Sequence, residues 1–550
     1  MTTEWLLSSH NTQESSGVAT PMSITMLIGA VNTQLLWFLE QLGGNLSDFE
    51  PPLDALTIVQ GQGYGNMTFY ARNMNRVLPT DPESVGVPKE VFPEMAKPPL
   101  GRWVRLPFRF YRTYKWMVHY HDRDLPATEA QLRELYQRLR TTIIPLDEIW
   151  ALFAPESLER STIVDRARIM SAVMVMVLDN ILRAQAPQLL NLFTGLETST
   201  SLIGQRIWEL RLQAEACGPE VTQRLRAGET TLEVYRALPA AAPLVAAVEA
   251  FLVEYGHRGF GRELDFEAER LGERSDMVLM AVAGQLNEGR PPAERARASR
   301  TEANQALSRM SIFTRPLWRR ALDWGQRLIA RRERFKSTLA LSQALFGLAT
   351  RQLAREFYPD QPDDILFFYT YPEFLEFVNS RGTERVSMDI LRLRRDELQL
   401  HLHQPPPPEL IWYDPATQHW RPVFESGEIA EDVTPRTCFE GIPASASSGA
   451  VEGLALVTND PLEAGRRLLE LQGAVILVTR LTDPAWSSLF ARLAGVVTEL
   501  GGVISHAAIV ARENGLPAVV GIPEATRHIR NGQRLRINGA TGIVEVLESL

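Results

Sequence analysis

The sequence has little cysteine and no pattern of an exported protein. Cys217 and Cys438 are its only two cysteines; they lie far apart and lack metal-ligand spacing, so neither a disulfide framework nor a cysteine metal site is expected. The N-terminus lacks a basic start, a short apolar core and a small-residue cleavage site. We therefore expect a reducing, cytoplasmic location.

Excess positive charge and uninterrupted apolar runs are also missing. The formal net charge is -9 and the pI is about 5.7, which disfavours broad binding to nucleic acid or to an anionic membrane. The stretches "MSITMLIGAVNTQLLWFLEQLG" and "IMSAVMVMVLDNILRAQ" carry Asn, Gln, Asp or Arg before they reach spanning length, so they predict buried helices. Neither nucleic acid nor membrane is an expected partner.

Nucleotide-binding signals are absent as well. No glycine-rich loop is followed by Lys-Ser/Thr, no internal repeat has a solenoid period, and no metal-ligand pattern occurs. If a nucleotide is used, this chain shows no obvious site for it.

What the 550 residues do contain is a change of pattern along the chain, and the length allows two or three domains. Apolar residues recur at helical spacing to about 402, which predicts a large, mainly α-helical domain over 1–430. Four successive prolines in "HQPPPPELIWYDPATQHW" predict a semi-rigid extended connector over about 403–438. Short apolar runs with turns between them then predict a compact α/β domain over 439–550.

The C-terminal region contains the most informative stretch, "TELGGVISHAAIVARENGLPAVVG". A glycine pair lets backbone amides approach a ligand, and a helix starting near Ser505 or His506 aims its amides at an anion. A neutral imidazole there can carry a phosphoryl group, with Ser505 and Arg512 contacting the phosphate. The alternative, from these residues alone, is that His506 satisfies a backbone carbonyl at a helix start.

Further motifs establish a resemblance. The run from Thr498 to Val546, with "GIPASASSGAVEGLALVTNDPLEA" and "ILVTRLTDPAWSSLF" upstream, resembles the swivelling phosphohistidine domain of phosphoenolpyruvate-utilising enzymes over about 439–548. The resemblance implies that His506 is the phosphoryl carrier on a mobile domain. It also implies that the carrier's surroundings are Thr498, Gly501, Gly502, Ser505 and Arg512. The entry run "ASASSGAVEG" departs from the family's Ser-Pro-Gly pattern.

The helical region contains three stretches similar to the antibiotic-binding part of rifampin phosphotransferases: "NTQESSGVATPMS", "EYGHRGFGRELDF" and "RRERFKSTLALS". His257 and Arg258 lie between glycines, where they could hold a hydroxyl and the transferred phosphate, or form a charged loop. Arg332 and Lys336, four residues apart on a helix, could neutralise a phosphoryl group. Glu263 or Asp265 could act as a general base or be surface charge.

The resemblance also shapes the expected reaction. Family chains begin with an ATP-grasp domain, and this sequence starts where that domain would end, so we expect a split system. A separate ATP-grasp protein, binding ATP and most of the Mg²⁺, would phosphorylate His506 from the β-phosphate. The phosphohistidine would then phosphorylate a small-molecule hydroxyl or phenol held by the helical domain, and no metal site is expected on this chain.

Two alternatives stay open. Phosphorylation could activate the acceptor for C–N or C–C joining or for dehydration, and phenylphosphate synthase, whose ATP-binding and histidine-bearing parts are separate chains, is a split precedent. The chain could instead be a non-catalytic phosphocarrier, which Arg332, Lys336 and His257 argue against.

Overall fold

The fold is described from a computed structural model. It covers residues 4–9, 18–42, 44–77, 91–94, 100–185, 196, 198–259, 263, 265–286, 291, 294, 301, 304–305, 307–404, 407–408, 410–423, 437–445, 449–471, 473–482, 486, 489–499, 501, 505–522 and 524–548.

The first two thirds of the chain are mainly helical, with three short strands near the N-terminal end. The elements in chain order are β1 Trp5–Ser8, α1 Pro21–Gln41, β2 Leu56–Val59, β3 Gln62–Asn66, α2 Met67–Arg72, α3 Leu100–Arg123, α4 Leu125–Thr141, α5 Leu146–Leu152, α6 Pro155–Gln185, α7 Ser199–Ala216, α8 Pro219–Arg226, α9 Leu232–Arg236, α10 Ala242–Tyr255, α11 Ser275–Gln285 and α12 Arg315–Phe357.

The remaining elements change from helices to alternating strands and helices. They are α13 Tyr371–Asn379, α14 Met388–His403, β4 Leu410–Asp414, β5 His419–Pro422, β6 Cys438–Glu440, β7 Ile442–Pro443, β8 Ala450–Val457, α15 Pro461–Glu470, β9 Val475–Thr479, β10 Gly495–Thr498, α16 His506–Asn514, β11 Ala518–Val520, α17 Ala525–His528, β12 Arg534–Asn538 and β13 Ile543–Glu548. The chain is thus mainly helical with a sheet-containing C-terminal region, as the sequence predicted.

The chain divides into two compact units that are not continuous in sequence. The first comprises Met1–Met170, Arg262–Ala268 and Thr338–Asp432, and the second Ser171–Gly261, Glu269–Ser337 and Val433–Leu550. The sequence predicted a division into 1–430 and 439–550, whereas here most of the residues between 171 and 337 group with the C-terminal region, which α11 contacts. The functional roles assigned to the two domains stay predictions.

The first unit is built on an aromatic core and a small sheet. Phe346, Phe367, Phe374 and Phe377 pack in one buried cluster, with ring centroids of Phe374 and Phe377 6.3 Å apart. The antiparallel sheet has the order β2-β3-β1-β4-β5. Strands β4 and β5 come from the predicted extended connector, which therefore contributes sheet structure as well as a link.

Helix α1 is the predicted buried helix that also has the length and composition of a membrane span. Its apolar window has a mean hydropathy of 1.5 and is 39% buried. Met22, Phe38 and Leu39 are fully buried within the first unit. Core helices pass the same test of length and composition, so one such helix is weak evidence for a membrane.

The helical part of the second unit packs α7, α8, α10 and α11 around one apolar cluster. Val248, Leu279 and Val282 are fully buried in it. Helix α11 also contacts α15 and the 3-10 turn Phe490–Arg492 of the C-terminal part. The helical and sheet-containing parts therefore share contacts within this unit.

The C-terminal part contains a mixed sheet with the order β6-β13-β12-β8-β9-β10-β11-β7, in which β8 to β11 run parallel. The residues of β9, β10 and β11 are all buried, as expected of parallel strands covered on both faces. Leu477 and Val496 pack in the cluster with α16, while Val478 and Val497 pack in the opposite one. Helix α16, which begins at His506, follows the carboxyl end of β10.

Candidate functional site

The turn before His506 is set by a glycine with positive φ. Strand β10 ends at Thr498, and Gly501 adopts a φ of 122°, which L side chains rarely adopt. A Cβ added at Gly501 would lie 2.9 Å from both Cβ and Oγ of Ser505 and 3.9 Å from Oγ1 of Thr498. Three predicted residues are therefore brought together. Gly502 lies outside the described residues.

Ser505 caps the helix that carries the histidine. Its backbone is extended, and its Oγ accepts a hydrogen bond from the amide of Ala508 at 3.4 Å. The helix ends at Gly515, whose left-handed conformation closes the last turn. His506 is thereby the first residue of a helix defined at both ends, as the sequence predicted.

The His506 imidazole is held by two neighbours that the sequence reasoning did not select. Nδ1 lies 3.0 Å from Oγ1 of Thr482, and the Phe490 ring meets the imidazole edge-on, with 6.2 Å between centroids. When Nδ1–H donates to Thr482, the lone pair of the neutral ring is on Nε2. A phosphoryl group attached to Nε2 would leave the Thr482 contact intact.

Sheet topology offers a signal that could have identified Thr482. Strands β9 and β10 are parallel neighbours, with Thr479 opposite Thr498. Residues that follow the carboxyl ends of adjacent parallel strands meet at one edge of the sheet. Thr482 follows β9 just as the histidine turn follows β10.

Burial and two cations disfavour the charged form of His506. Burial lowers its pKa to about 3; Lys336 and Arg258 lower it too, while Glu333 acts in the opposite direction. The imidazole is therefore uncharged at neutral pH, the form with a nucleophilic nitrogen. All four residues belong to the second compact unit.

Helix α12 supplies the predicted pair Arg332 and Lys336, and between them Glu333, which the sequence reasoning passed over. Arg332 Nη2 donates to Glu333 Oε1 at 2.9 Å. Burial alone would raise the pKa of Glu333, but Arg332, Lys336 and Arg258 hold it below its ordinary value. The ionised carboxylate of Glu333, held by these three cations, thus acts to raise the pKa of His506.

The predicted pair His257 and Arg258 is buried, with 1% and 2% of its surface exposed. His257 Nε2 lies 3.4 Å from Oγ of Ser337, next to Lys336, and its carbonyl accepts from Arg270. The amide of Leu271 donates to the Arg258 carbonyl at 2.8 Å. This segment is a buried, hydrogen-bonded loop that follows the end of α10, which agrees with a charged loop at a helix end. Its predicted role in holding the acceptor hydroxyl and the phosphate stays a prediction.

Glu263 and Asp265 are also buried, with 3% and 2% of their surface exposed, so surface charge does not describe them. They belong to the first unit. Two cavities of about 570 and 680 Å³ are lined by residues of that unit, and neither is lined by Glu263 or Asp265. Their role in acceptor binding stays a prediction.

Arg512 is 1% exposed and lies in α16, two turns after the histidine. Its Nη1 donates to the Ala444 carbonyl at 3.0 Å. This contact ties α16 to the segment before β8. Its predicted contribution to the phosphate site stays a prediction.

The described ranges contain no group of three or more His, Cys, Asp or Glu side chains suited to a metal ion. No step is therefore assigned to a metal ion on this chain.

Comparisons with known proteins agree with this geometry. Residues 471–542 match the family described as "PEP-utilising enzyme, mobile domain", and residues 165–333 match the "Rifampicin phosphotransferase fourth domain". The first match contains His506. The second contains His257, Arg258, Arg332 and Glu333. The resemblance predicted from the sequence is confirmed.

Individual relatives match parts of the chain. The rifampicin phosphotransferase of Streptomyces sviceus is 34% identical over 319 residues, which cover 55% of this chain and 34% of that protein. The rifampicin phosphotransferase of Bacillus subtilis is 36% identical over 181 residues, which cover 33% of this chain and 19% of that protein. The prodigiosin synthesizing transferase PigC of Serratia marcescens is 37% identical over 164 residues, covering 29% and 17%. The matched part spans about a third or less of these relatives.

Proposed function

We propose that this chain is a phosphotransferase component in which His506 accepts a phosphoryl group and passes it to a small-molecule hydroxyl. The observation that carries the proposal is the placement of the His506 imidazole at the start of α16, where Ser505 caps the helix and Thr482 contacts Nδ1. Lys336, Glu333 and Arg258 act on its pKa. The similarity to rifampicin phosphotransferases and to the mobile domain supports the same reaction class.

The first half-reaction forms the phosphohistidine. Nε2 of His506 attacks the phosphorus, the N–P bond forms, and the P–O bond to the donor breaks, leaving its electron pair on the donor oxygen. The transferred group is the β-phosphate of ATP bound by a separate ATP-grasp protein: the α–β bond breaks and releases AMP, and water cleaves the β–γ bond and releases the γ-phosphate as inorganic phosphate, which leaves a phosphohistidine. Thr482 keeps the ring oriented through Nδ1 while Nε2 reacts.

The second half-reaction transfers the group to the acceptor. The acceptor oxygen attacks phosphorus, the N–P bond breaks, and the hydroxyl proton passes to a base, for which Glu333, His257, Glu263 and Asp265 are the candidates. Arg332, Lys336 and Arg258 carry three positive charges against the single negative charge of Glu333. The excess of positive charge can balance the negative charge of a dianionic phosphoryl group.

A second candidate is phosphorylation that makes the acceptor oxygen a leaving group for a joining step. The similarity to the prodigiosin synthesizing transferase of Serratia marcescens favours it. The two reactions differ in their product: simple transfer ends in a stable phosphate ester, whereas joining releases inorganic phosphate with a coupled compound.

The decisive experiment uses the chain, a candidate ATP-grasp protein and ATP labelled at the β-phosphate. We expect acid-labile label on the wild type and none on His506→Gln. The matched control is His528→Gln, because His528 lies in the same region and pairs with Glu524 at 3.8 Å, outside the candidate site. Equal labelling of His506→Gln and wild type would refute the carrier role.

A further inference from the structure

Helix α15 has a glycine, Gly465, in its middle, where a helix has no conformational need for one. Glycine inside a helix costs about 1 kcal/mol relative to alanine. Gly465 is buried, and its position in "PLEAGRRLLE" is neither a cap nor a turn. Close packing against a neighbour is the remaining physical reason for glycine here.

The neighbour is Met280 of α11. A Cβ added to Gly465 would collide with Sδ of Met280, and it would lie 3.5 Å from both Cε of Met280 and Cδ2 of Leu489. Met280 is itself 7% exposed. The methionine side chain therefore rests on the helix backbone in the space that a side chain at position 465 would occupy.

The contact between Met280 and Gly465 is linked to His506 through helix α11 and Phe490. Helix α11 contacts both α15 and the 3-10 turn Phe490–Arg492, which follows Leu489. Phe490, at the start of that turn, packs edge-on against the His506 imidazole. One of the two elements that α11 contacts thus carries the ring that packs against the His506 imidazole.

We propose that the seating of Met280 against Gly465 is the positioning contact that holds the histidine-bearing part on α11, and so keeps His506 near Lys336 of α12 and the loop residue Arg258. The inference rests on the proposed function, because it gives the contact the role of positioning His506 for phosphoryl transfer. Methionine suits a contact that is made and released, because its unbranched thioether adapts to an irregular surface at little cost. Neither residue touches the reacting atoms.

The test compares the full-length wild type with Gly465→Leu and, as a matched control, Glu470→Leu, which places the same side chain at an exposed position of the same helix. Two readouts are measured: hydrogen exchange of α11, and the rate at which diethyl pyrocarbonate modifies His506. We expect Gly465→Leu to raise both by about tenfold, since added atoms in a packed contact weaken it by this order. The control should behave as wild type.

A second pair of variants keeps the test informative if leucine impairs folding. Gly465→Ala adds one carbon to the contact, and Met280→Ala removes the atoms that it would strike. If the contact positions the histidine, the amide hydrogens of α11 exchange more slowly in the double variant than the summed effects of the two single substitutions predict. Additive effects, or exchange in Gly465→Leu equal to wild type, would overturn the proposal.

The same preparations separate this inference from the proposed function. If the wild type takes no label from ATP and the ATP-grasp protein, the phosphotransfer function fails, while hydrogen exchange still decides the contact. If Gly465→Leu keeps His506 labelling and wild-type exchange, the positioning contact alone fails. If Gly465→Leu keeps the phosphoryl labelling of His506 but the hydrogen exchange of α11 becomes faster, the positioning contact is supported.

Discussion

The two sides of the candidate site are encoded differently. The side that we propose as the carrier, from Thr498 to the start of α16, is a contiguous run in which a glycine, a capping serine and a histidine set each other's geometry. The side that we propose for the acceptor draws Arg258, Glu333 and Lys336 from two segments that are far apart in sequence. The first is therefore sensitive to backbone changes, and the second to removal of charge.

The largest effect is expected from the carrier backbone. Gly501→Ala forces an L residue to a φ of 122° and places its Cβ 2.9 Å from Ser505, so we expect a loss of about 3 kcal/mol in unfolding free energy. Urea denaturation measures it. Gly473→Ala is the control, because Gly473 has a φ of 92° but nothing within 4 Å of its added Cβ. Equal losses in both variants would show that the Ser505 contact adds nothing.

The charge side is tested by two substitutions with opposite signs. Lys336→Gln should raise the pKa of His506, because Lys336 disfavours the imidazolium, and Glu333→Gln should lower it further. NMR of protein with ¹⁵N-labelled histidine measures the direction of each pKa shift. The His506 resonance is assigned by its loss in His506→Gln. Shifts of the same sign in both variants would contradict this account of the site.

The lowered pKa also predicts a dependence of stability on pH. The unfolded His506 takes up its proton near the ordinary value of 6.5, whereas the folded one does so only near 3. Protonation therefore favours the unfolded state as the pH falls from about 6.5 to 3. Wild type should lose stability relative to His506→Gln across this window, and urea denaturation at several pH values measures it. A constant difference would argue against a depressed pKa.

The smallest effect is expected at Thr482. Thr482→Val removes the hydroxyl at 3.0 Å from Nδ1 and should slow labelling of His506 by about fivefold, the worth of about 1 kcal/mol of hydrogen bonding. Thr482→Ser should restore the rate because it keeps the hydroxyl. A valine variant that labels at the wild-type rate would show that Thr482 does not orient the ring.

Much of the fold and the local geometry at His506 could be predicted from sequence because their signals are local. Helical periodicity predicted the helical region, and the run after β10 predicted the helix start at His506. Glu333 was missed because a carboxylate between two predicted cations resembles ordinary helix surface charge. The grouping of residues 171–337 with the C-terminal region was not predicted, because nothing in "VLMAVAGQ" shows that α11 also contacts α15.

The sequence by itself therefore determined the local setting of His506: a residue type, a turn that only glycine adopts readily, and a helix start, all within a few residues of each other. Tertiary structure alone decided which charges act on the imidazole and which side chains of remote segments contact it. Burial and electrostatic interaction depend on distance in space, and packing of remote segments sets that distance.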